Sequence, residues 1–530
     1  MILASGTRAT YVFRSSGVSG KCGVAPPVPI DRREGRATRM AYTYYERLSA
    51  LDTTFLDMED QFPNAHMHIG SVSLFDAAPL HDASGATDID KVRRLVQAGI
   101  RKVPRYGQKV ALVPGFGNPV WVDDDRLNLL YHIRHVRLPK PGTERQLKRL
   151  AGRIMSQRLD RGKPLWELWV VDGVEGNRVS LISKAHHCMI DGVGSVELST
   201  ALIQARKDIE GRIDNPPAFR TRPVPSPREL FLDELNRRVA EPLGAMRTIG
   251  TALADPLRAL RSLRDSLGAA SAGLRGALSS ASPTPLNDEV GPHRRFDWLE
   301  MSLDEVKSVK NRLGGTINDV VLTVASGALG RFLRDRGVRV QDLDFRAMLP
   351  VNVRVASDRE SLGNRVSSLM AALPLAERDP VKRLQLVMQT TGGLKKSGQA
   401  AGIKLLEELS DSSLGGLFSL LSRLSAMARP FNVVITNVPG PQFELYFLGS
   451  PLRAAYPLVP LFHNQTIGIA LFSYNGTLFW GFNADWDAIP DLHELVDGVA
   501  REFVRLKDAA AAAPVRPQTA KSARAAARSA

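Results

Sequence analysis

The stretch Val179-Ser180-Leu181-Ile182-Ser183-Lys184-Ala185-His186-His187-Cys188-Met189-Ile190-Asp191-Gly192 decides how this chain is read. Its first five residues form a short, mostly apolar run with the bounded look of a buried strand. Gly192 and Gly194 then allow a tight exit toward a helical pattern from Val196 to Ile209. Two imidazoles and an acid therefore stand where a strand gives way to a loop. Histidine titrates nearest neutrality, so a ring fixed at such a corner can take a proton from a hydroxyl and return it within one turnover. Asp191 would hold that imidazole, or the loop itself, in place.

Three other uses compete for the same residues. Adjacent side chains on a strand face opposite ways, so His186 and His187 share a pocket only if the backbone bends between them, and both could instead be packing residues. A metal site built on His186, His187 and Asp191 would need further converging ligands, for which His66 and His68 offer a weak complement. A Cys188 nucleophile with His187 as base would need contact between neighbouring, diverging side chains.

Around this corner the pattern alternates strands and helices, which bounds the class as α/β. The chain has 530 residues, more than one hydrophobic core usually serves, so two domains are expected. The reading divides it into a basic extension expected to be disordered (1–40), a first half (41–205), a Pro/Arg-rich, partly helical linker (206–285), a second half (286–508) and an Ala/Arg tail expected to be disordered (509–530). In the first half strands are expected near Met67–Phe75, Lys109–Val113 and Val120–Val122, and helices over Ile89–Val103 and Glu144–Gln157. The second half should hold helices over Leu303–Leu313, Ile317–Leu333 and Asp491–Leu506, and a strand over Phe431–Thr436. A hairpin is expected from Thr466–Ser473 and Thr477–Phe482 around Asn475-Gly476, a strong two-residue turn signal. Thr316 and Asp319 fit a helix capping box, and Trp166 should pack beneath the histidine corner.

The net charge of +15 is concentrated outside the expected catalytic body. Residues 1–40 hold seven Lys or Arg against two acids, residues 509–530 four against none, and residues 206–285 thirteen against nine. The rest is nearly neutral, which argues against a nucleic-acid enzyme with a basic folded face. Basic segments of this kind can touch an anionic membrane, or simply be solvated. A stripe of Leu253, Leu257, Leu260, Leu263 and Leu267 with interspersed arginines allows either an interfacial helix or packing on the protein itself. No apolar stretch reaches the roughly 20 residues that cross a bilayer, and the most apolar helical candidate, Leu414–Met427, is broken by Arg423. Only Cys22 and Cys188 occur, which fits a reducing cytoplasm rather than a disulfide framework. Residues 1–39 lack the apolar core of a secretory signal, and Met40 is a candidate start.

The motif His186-His187-x-x-x-Asp191-Gly192 resembles the active-site signature of the bacterial wax ester synthase/acyl-CoA:diacylglycerol acyltransferase family, within the chloramphenicol-acetyltransferase-like superfamily. The resemblance continues through Leu51-Asp52-x-x-Phe55-Leu56-x-x-Glu59, Met67-His68-Ile69-Gly70 and Pro164-Leu165-Trp166-Glu167. It runs on through Gly291-Pro292-His293-Arg294-Arg295, Asn318-Asp319, Leu349-Pro350-Val351-Asn352-Val353-Arg354, Gly363-Asn364 and Asn437-Val438-Pro439-Gly440-Pro441, covering roughly residues 41–508. His66 departs from it, standing where a proline is common.

This resemblance implies two domains with mixed sheets flanked by helices and an active-site channel at their interface. It implies His187 as general base, with His186, Asp191 and Gly192 completing the catalytic motif. Asn318 and Asp319 would lie near the site, Thr436 or Asn437 would help stabilise an oxyanion, and Arg354 would pair with Asp191. The implied reaction moves a long-chain acyl group from acyl-CoA, a co-substrate, to diacylglycerol or a long-chain alcohol. No metal or other cofactor is expected, nor any nucleic acid. Peripheral contact with an anionic membrane or lipid droplet is compatible with the basic segments. A metal-dependent hydrolase and a non-catalytic lipid-binding protein are the alternatives.

Overall fold

The computed structural model describes residues 45–115, 119–189, 202–207, 221–237, 280–352, 366–396 and 429–513, all within the unit Tyr45–Ala530. Asp191, Gly192, Arg354, Gly363-Asn364, the helix expected over Val196–Ile209, the Leu253–Leu267 stripe and the Leu414–Met427 segment lie wholly or largely outside the described residues.

The first half runs β1 (Glu46–Arg47), α1 (Ala50–Gln61), β2 (His68–Asp76), α2 (Ile89–Lys102), β3 (Gln108–Ala111), β4 (Val120–Asp123), α3 (Leu129–His132), β5 (Ile133–Arg137), α4 (Glu144–Met155), β6 (Trp166–Val174) and β7 (Arg178–His186). The second runs β8 (Arg294–Ser302), α5 (Leu303–Leu313), α6 (Ile317–Asp335), β9 (Arg346–Asn352), β10 (Val366–Ala372), α7 (Pro380–Lys396), β11 (Val433–Pro439), β12 (Tyr446–Phe447), β13 (Ser450–Leu458), β14 (Ile467–Tyr474), β15 (Thr477–Asp485) and α8 (Leu492–Ala512). Residues 227–237 are also helical.

Two six-stranded mixed sheets carry the fold. One has the order β12-β13-β2-β7-β6-β5, the other β10-β9-β11-β14-β15-β8, and a small sheet β1-β4-β3 stands beside them. Only β5–β6, β9–β11 and β11–β14 pair in parallel among the described strands of the large sheets. The first large sheet is not built from the first half alone: β13 pairs antiparallel with β2, Leu458 opposite Gly70 and Tyr456 opposite Val72. Tyr456 then carries the contact into the other sheet, stacking on Trp298 of β8 at 4.5 Å and donating its hydroxyl to Glu300 at 2.5 Å.

Local chemistry explains the elements. Asp88 caps α2, whose buried Val92, Leu95, Val96, Gly99 and Ile100 repeat at helical spacing. Thr143 and Gln146 close a capping box on α4, and Thr316 and Asp319 do so on α6. Buried on almost all sides, α6 packs as a core helix rather than an amphipathic one. Asn475 (φ 44°) and Gly476 (φ 82°) make the two-residue turn between β14 and β15. The strand expected at Phe431–Thr436 runs on to Pro439, because β14 supplies parallel partners as far as Ser473. Pairing of β11 with β9 stops at Val434, so Pro439, which lacks an N–H, sits where no ladder bond is demanded on that side.

Strand β13 carries Pro451 and Pro457, a composition that argues against a strand, and it was not expected. Neither was α1, whose weakly amphipathic sequence begins at the cap Ser49, which accepts the Asp52 N–H at 3.1 Å.

Gly327 in α6 makes room for a buried ion pair, Arg383 Nη1 to Glu502 Oε2 at 2.8 Å. A Cβ at this glycine would lie 2.0 Å from that guanidinium nitrogen and 2.5 Å from the carboxylate. Gly327→Ala should therefore destabilise the chain by about 1–3 kcal/mol through overpacking. Urea unfolding checks this, as a lower midpoint with an unchanged slope.

Candidate active site

Strand β7 ends between two neighbours that divide its last amides. The His186 N–H donates to Leu165 O at 2.9 Å on the β6 side, and the His187 N–H donates to Met67 O at 2.8 Å on the β2 side. Leu165 belongs to the Pro-Leu-Trp motif, so part of that motif's work is to hold the histidine corner by its main chain. Trp166 is buried below, donating its indole N–H to Tyr106 O at 2.8 Å and stacking on His132. Beside the corner β2 and β7 run close: a Cβ at Gly70 would meet Ser183 O at 2.1 Å.

After His186 the backbone leaves the extended form and makes one 3-10 turn over His187–Met189. The two rings consequently enter different surroundings. His187 is partly exposed, its ring 4.2 Å from that of Phe55 on α1. His186, 1% exposed, turns inward. Its Nδ1 accepts the Cys188 N–H at 3.2 Å and faces Cys188 Sγ at 3.0 Å, while its Nε2 lies 3.7 Å from Glu59 Oε2. The sequence grouped both rings with the catalytic residues; in the fold His186 is buried with its contacts turned inward, while His187 stands nearer the surface.

Glu59 is the hub of that interior. Its Oε2 accepts from Arg158 Nε and Arg161 Nη2, both at 3.0 Å. Its Oε1 lies 3.5 Å from His68 Nε2 and 3.9 Å from His66 Nδ1. Three imidazoles thus gather on one carboxylate, itself 1% exposed. Among the described residues no three His, Cys, Asp or Glu side chains are placed to hold one metal ion. One strand position before Ala185, buried Lys184 donates to Ile154 O at 3.0 Å and to Gln157 O. A cation there lies among carbonyls at the C-terminal end of α4, where the helix dipole favours positive charge.

Burial governs the protonation of the cluster. Desolvation lowers His187 to about 4, against a smaller opposing contact with its own backbone, and lowers His66 to about 4 as well. His68 and His186 are pushed well below the usual imidazole range, again mainly by burial, with nearby cations adding to the effect. Lys184 is lowered to about 8 by burial. The Cys188 thiol is driven up, chiefly by burial, and at 3% exposure it is kept from acting as a thiolate nucleophile.

The second-half candidates separate. Asn437 Nδ2 donates to Asn318 Oδ1 at 3.1 Å, joining the end of β11 to the first turn of α6 through a half-buried and an exposed amide. Thr436 precedes Asn437 on β11, opposite Ala470. Asp319 is committed elsewhere: its Oδ2 accepts from the Thr316 N–H and hydroxyl, each at 2.8 Å, and its Oδ1 from the Thr391 hydroxyl at 2.8 Å. Both oxygens serve the helix cap and its anchor.

Sequence reasoning gave no site role to Glu59, Phe55, Arg158 or Arg161, although the first two stand in a quoted motif. The signal for two of them was present: Phe55 and Glu59 are four apart, hence on one face of any helix spanning them.

The depressed imidazoles tie stability to pH. Unfolded, His66 and His187 would bind protons near 6.5; folded, they refuse them down to about 4. Their contribution is complete above about 6.5 and is lost as the pH falls toward 4. Thermal melts should show Tm steady near neutrality and falling through that window, and a flat Tm from pH 7 to 4 would contradict this protonation pattern.

The chain matches the model of the wax ester synthase/diacylglycerol acyltransferase catalytic domain over residues 48–321 and that of the family's C-terminal domain over residues 362–507. A Mycobacterium tuberculosis H37Rv protein named as a diacylglycerol O-acyltransferase is 32% identical over 463 residues, covering 86% of this chain and 88% of its own. Another from that strain, tgs2, named likewise, is 33% identical over 455 residues, covering 84% and 95%. In fold, the wax ester synthase/diacylglycerol acyltransferase of Marinobacter aquaeolei VT8 superposes with a TM-score of 0.60 at 24% identity, over 88% of this chain and 100% of that one. The starter condensation domain of rhizomide synthetase, solved with C8-CoA and Leu-SNAC, shares the fold at a TM-score of 0.54 and 13% identity, over 90% and 98%. The chain belongs to the wax ester synthase/diacylglycerol acyltransferase family and is an acyltransferase enzyme.

Proposed function

We propose that the enzyme transfers a long-chain acyl group from acyl-CoA to the hydroxyl of diacylglycerol, forming triacylglycerol, with long-chain alcohols as a second acceptor class giving wax esters. The observation that carries this reading is the partly exposed His187, held neutral by desolvation at a main-chain-pinned strand end. A neutral imidazole at physiological pH is ready to act as a base.

In the proposed step the ring takes the acceptor's proton as its oxygen attacks the thioester carbonyl. A tetrahedral oxyanion forms, the C–S bond breaks, and the proton passes from the imidazolium to the departing CoA sulfur. No acyl-enzyme forms, and the step calls on no cofactor. Holding alcohol and thioester together can replace an encounter worth about 7–11 kcal/mol. Asn437, which gives one amide hydrogen to Asn318 and carries a second, is the preferred candidate for an oxyanion donor, with Thr436 beside it. Asp191 and Gly192 complete the proposed catalytic motif, Asp191 holding the imidazole or the loop in place.

Peripheral contact with an anionic membrane or lipid droplet, from the cytoplasmic side, belongs to the same proposal. It is supported by the basic residues gathered in 1–40, 206–285 and 509–530. Among the described residues no helix is long and apolar enough to cross a membrane.

Thiol release from palmitoyl-CoA, with diacylglycerol or hexadecanol as acceptor, tests the reading. The wild type should release CoA in an acceptor-dependent, chelator-insensitive reaction, and kcat/KM should fall only near pH 4. His187→Ala should lose at least about 100-fold in kcat, the scale of general-base catalysis. Equal rates in both proteins would remove His187 from the mechanism. Chelator sensitivity would favour a metal-dependent hydrolase, and acyl binding without thiol release a lipid-binding protein.

A further inference from the structure

We propose that Glu59 is the positioning residue of the catalytic corner: its carboxylate holds His186 in the Nε2–H tautomer, and that tautomer builds the turn that aims His187. The proposal rests on His187 being the base.

The His186 ring has one nitrogen spoken for. Nδ1 accepts the Cys188 N–H at 3.2 Å, which only an unprotonated nitrogen can do, so the ring proton belongs on Nε2. That nitrogen faces Glu59 Oε2 at 3.7 Å, a separation at which the carboxylate acts as a charge on the N–H dipole rather than as a hydrogen-bond acceptor. Arg158 and Arg161 grip the same oxygen at 3.0 Å and make an ionised carboxylate tenable in a buried position. In the opposite tautomer the Nδ1–H would turn to Cys188 Sγ, 3.0 Å away, and the Cys188 N–H would lose its acceptor. The one-turn segment His187–Met189, which begins at the base itself, would lose its internal tie.

Helix α1 doubles the connection. Phe55 and Glu59 stand one helical turn apart, the first against the His187 ring at 4.2 Å and the second against His186. A single element therefore touches both rings, one by packing and one by charge. Glu59 meets no reacting atom; it acts through His186.

The test separates this role from simple support of the fold. Glu59→Gln should lower kcat by about tenfold or more, with KM for acyl-CoA and acceptor within about twofold, as expected when an orienting carboxylate is lost. In a His186→Asn background, where the amide oxygen can accept the Cys188 N–H with no tautomer to choose, adding Glu59→Gln should change kcat by less than about twofold. Equal losses in both backgrounds would overturn the proposal, because a purely structural carboxylate costs the same in each.

Nitrogen-15 spectra of labelled histidines at neutral pH give a second readout, with the His186 signals identified by their loss in His186→Asn. The wild type should show Nε2–H, and Glu59→Gln a measurable population of Nδ1–H; an unchanged tautomer overturns the proposal. Should Glu59→Gln fail to fold, Glu59→Asp, which withdraws the charge by one methylene, is read the same way. The spectrum does not depend on the acceptor, so failure of the diacylglycerol reading and failure of this one are distinguishable.

Discussion

Everything at the catalytic corner depends on two main-chain hydrogen bonds that the last residues of β7 make in opposite directions, one to Leu165 and one to Met67. Without the second bond the sheet would still hold His186 but would leave His187 on a free loop. Because the bonds reach to His187 itself, the ring's departure point is set by the sheet, and only the short 3-10 turn beyond it remains to be shaped. Side-chain chemistry at positioned sites is most reproducible when rigid elements supply the anchor, and here three adjacent strands supply it.

The sheet that provides this anchor is assembled from distant parts of the chain. β2 lies between β7, reached about a hundred residues later, and β13, which arrives from the second half. Aromatic packing of Tyr456 on Trp298 and Phe479 continues the contact into the other sheet. Arg294, at the head of β8, is buried; its backbone N–H donates to the Ser156 hydroxyl and its guanidinium to Asn64 O. The two halves are joined by backbone, aromatic and cationic links at once, so the position of the second-half amides Asn318 and Asn437 is coupled to the sheet that holds His187.

Legibility in the sequence followed the physics of each element. The helices Leu303–Leu313 and Ile317–Asp335 and the hairpin around Asn475-Gly476 announce themselves through caps, periodicity and a turn dipeptide, all local signals. Strand β13 did not, because two prolines disguise it and its partner lies almost 400 residues away. Helix α1 was hidden by mixed polarity: Asp52, Glu59 and His-facing positions interrupt the apolar stripe for reasons that only the fold reveals. At the site, the pair His186-His187 was visible as a motif, but the division of labour between the rings was not. Which imidazole turns inward depends on a bend at one residue and on a carboxylate more than a hundred positions upstream. Asp319 shows the converse, since a capping pattern read from four residues accounts for both of its oxygens once Thr391 is in view.

The borrowed strand has a consequence for how this enzyme comes into being. As the chain leaves the ribosome, the outer edge of β2 stays bare until residues near 458 have emerged, so the strand order beside the histidines is completed only when most of the polypeptide exists. Until then an unpaired strand edge is open to pairing with other nascent chains. A first-half fragment expressed alone would keep that edge permanently.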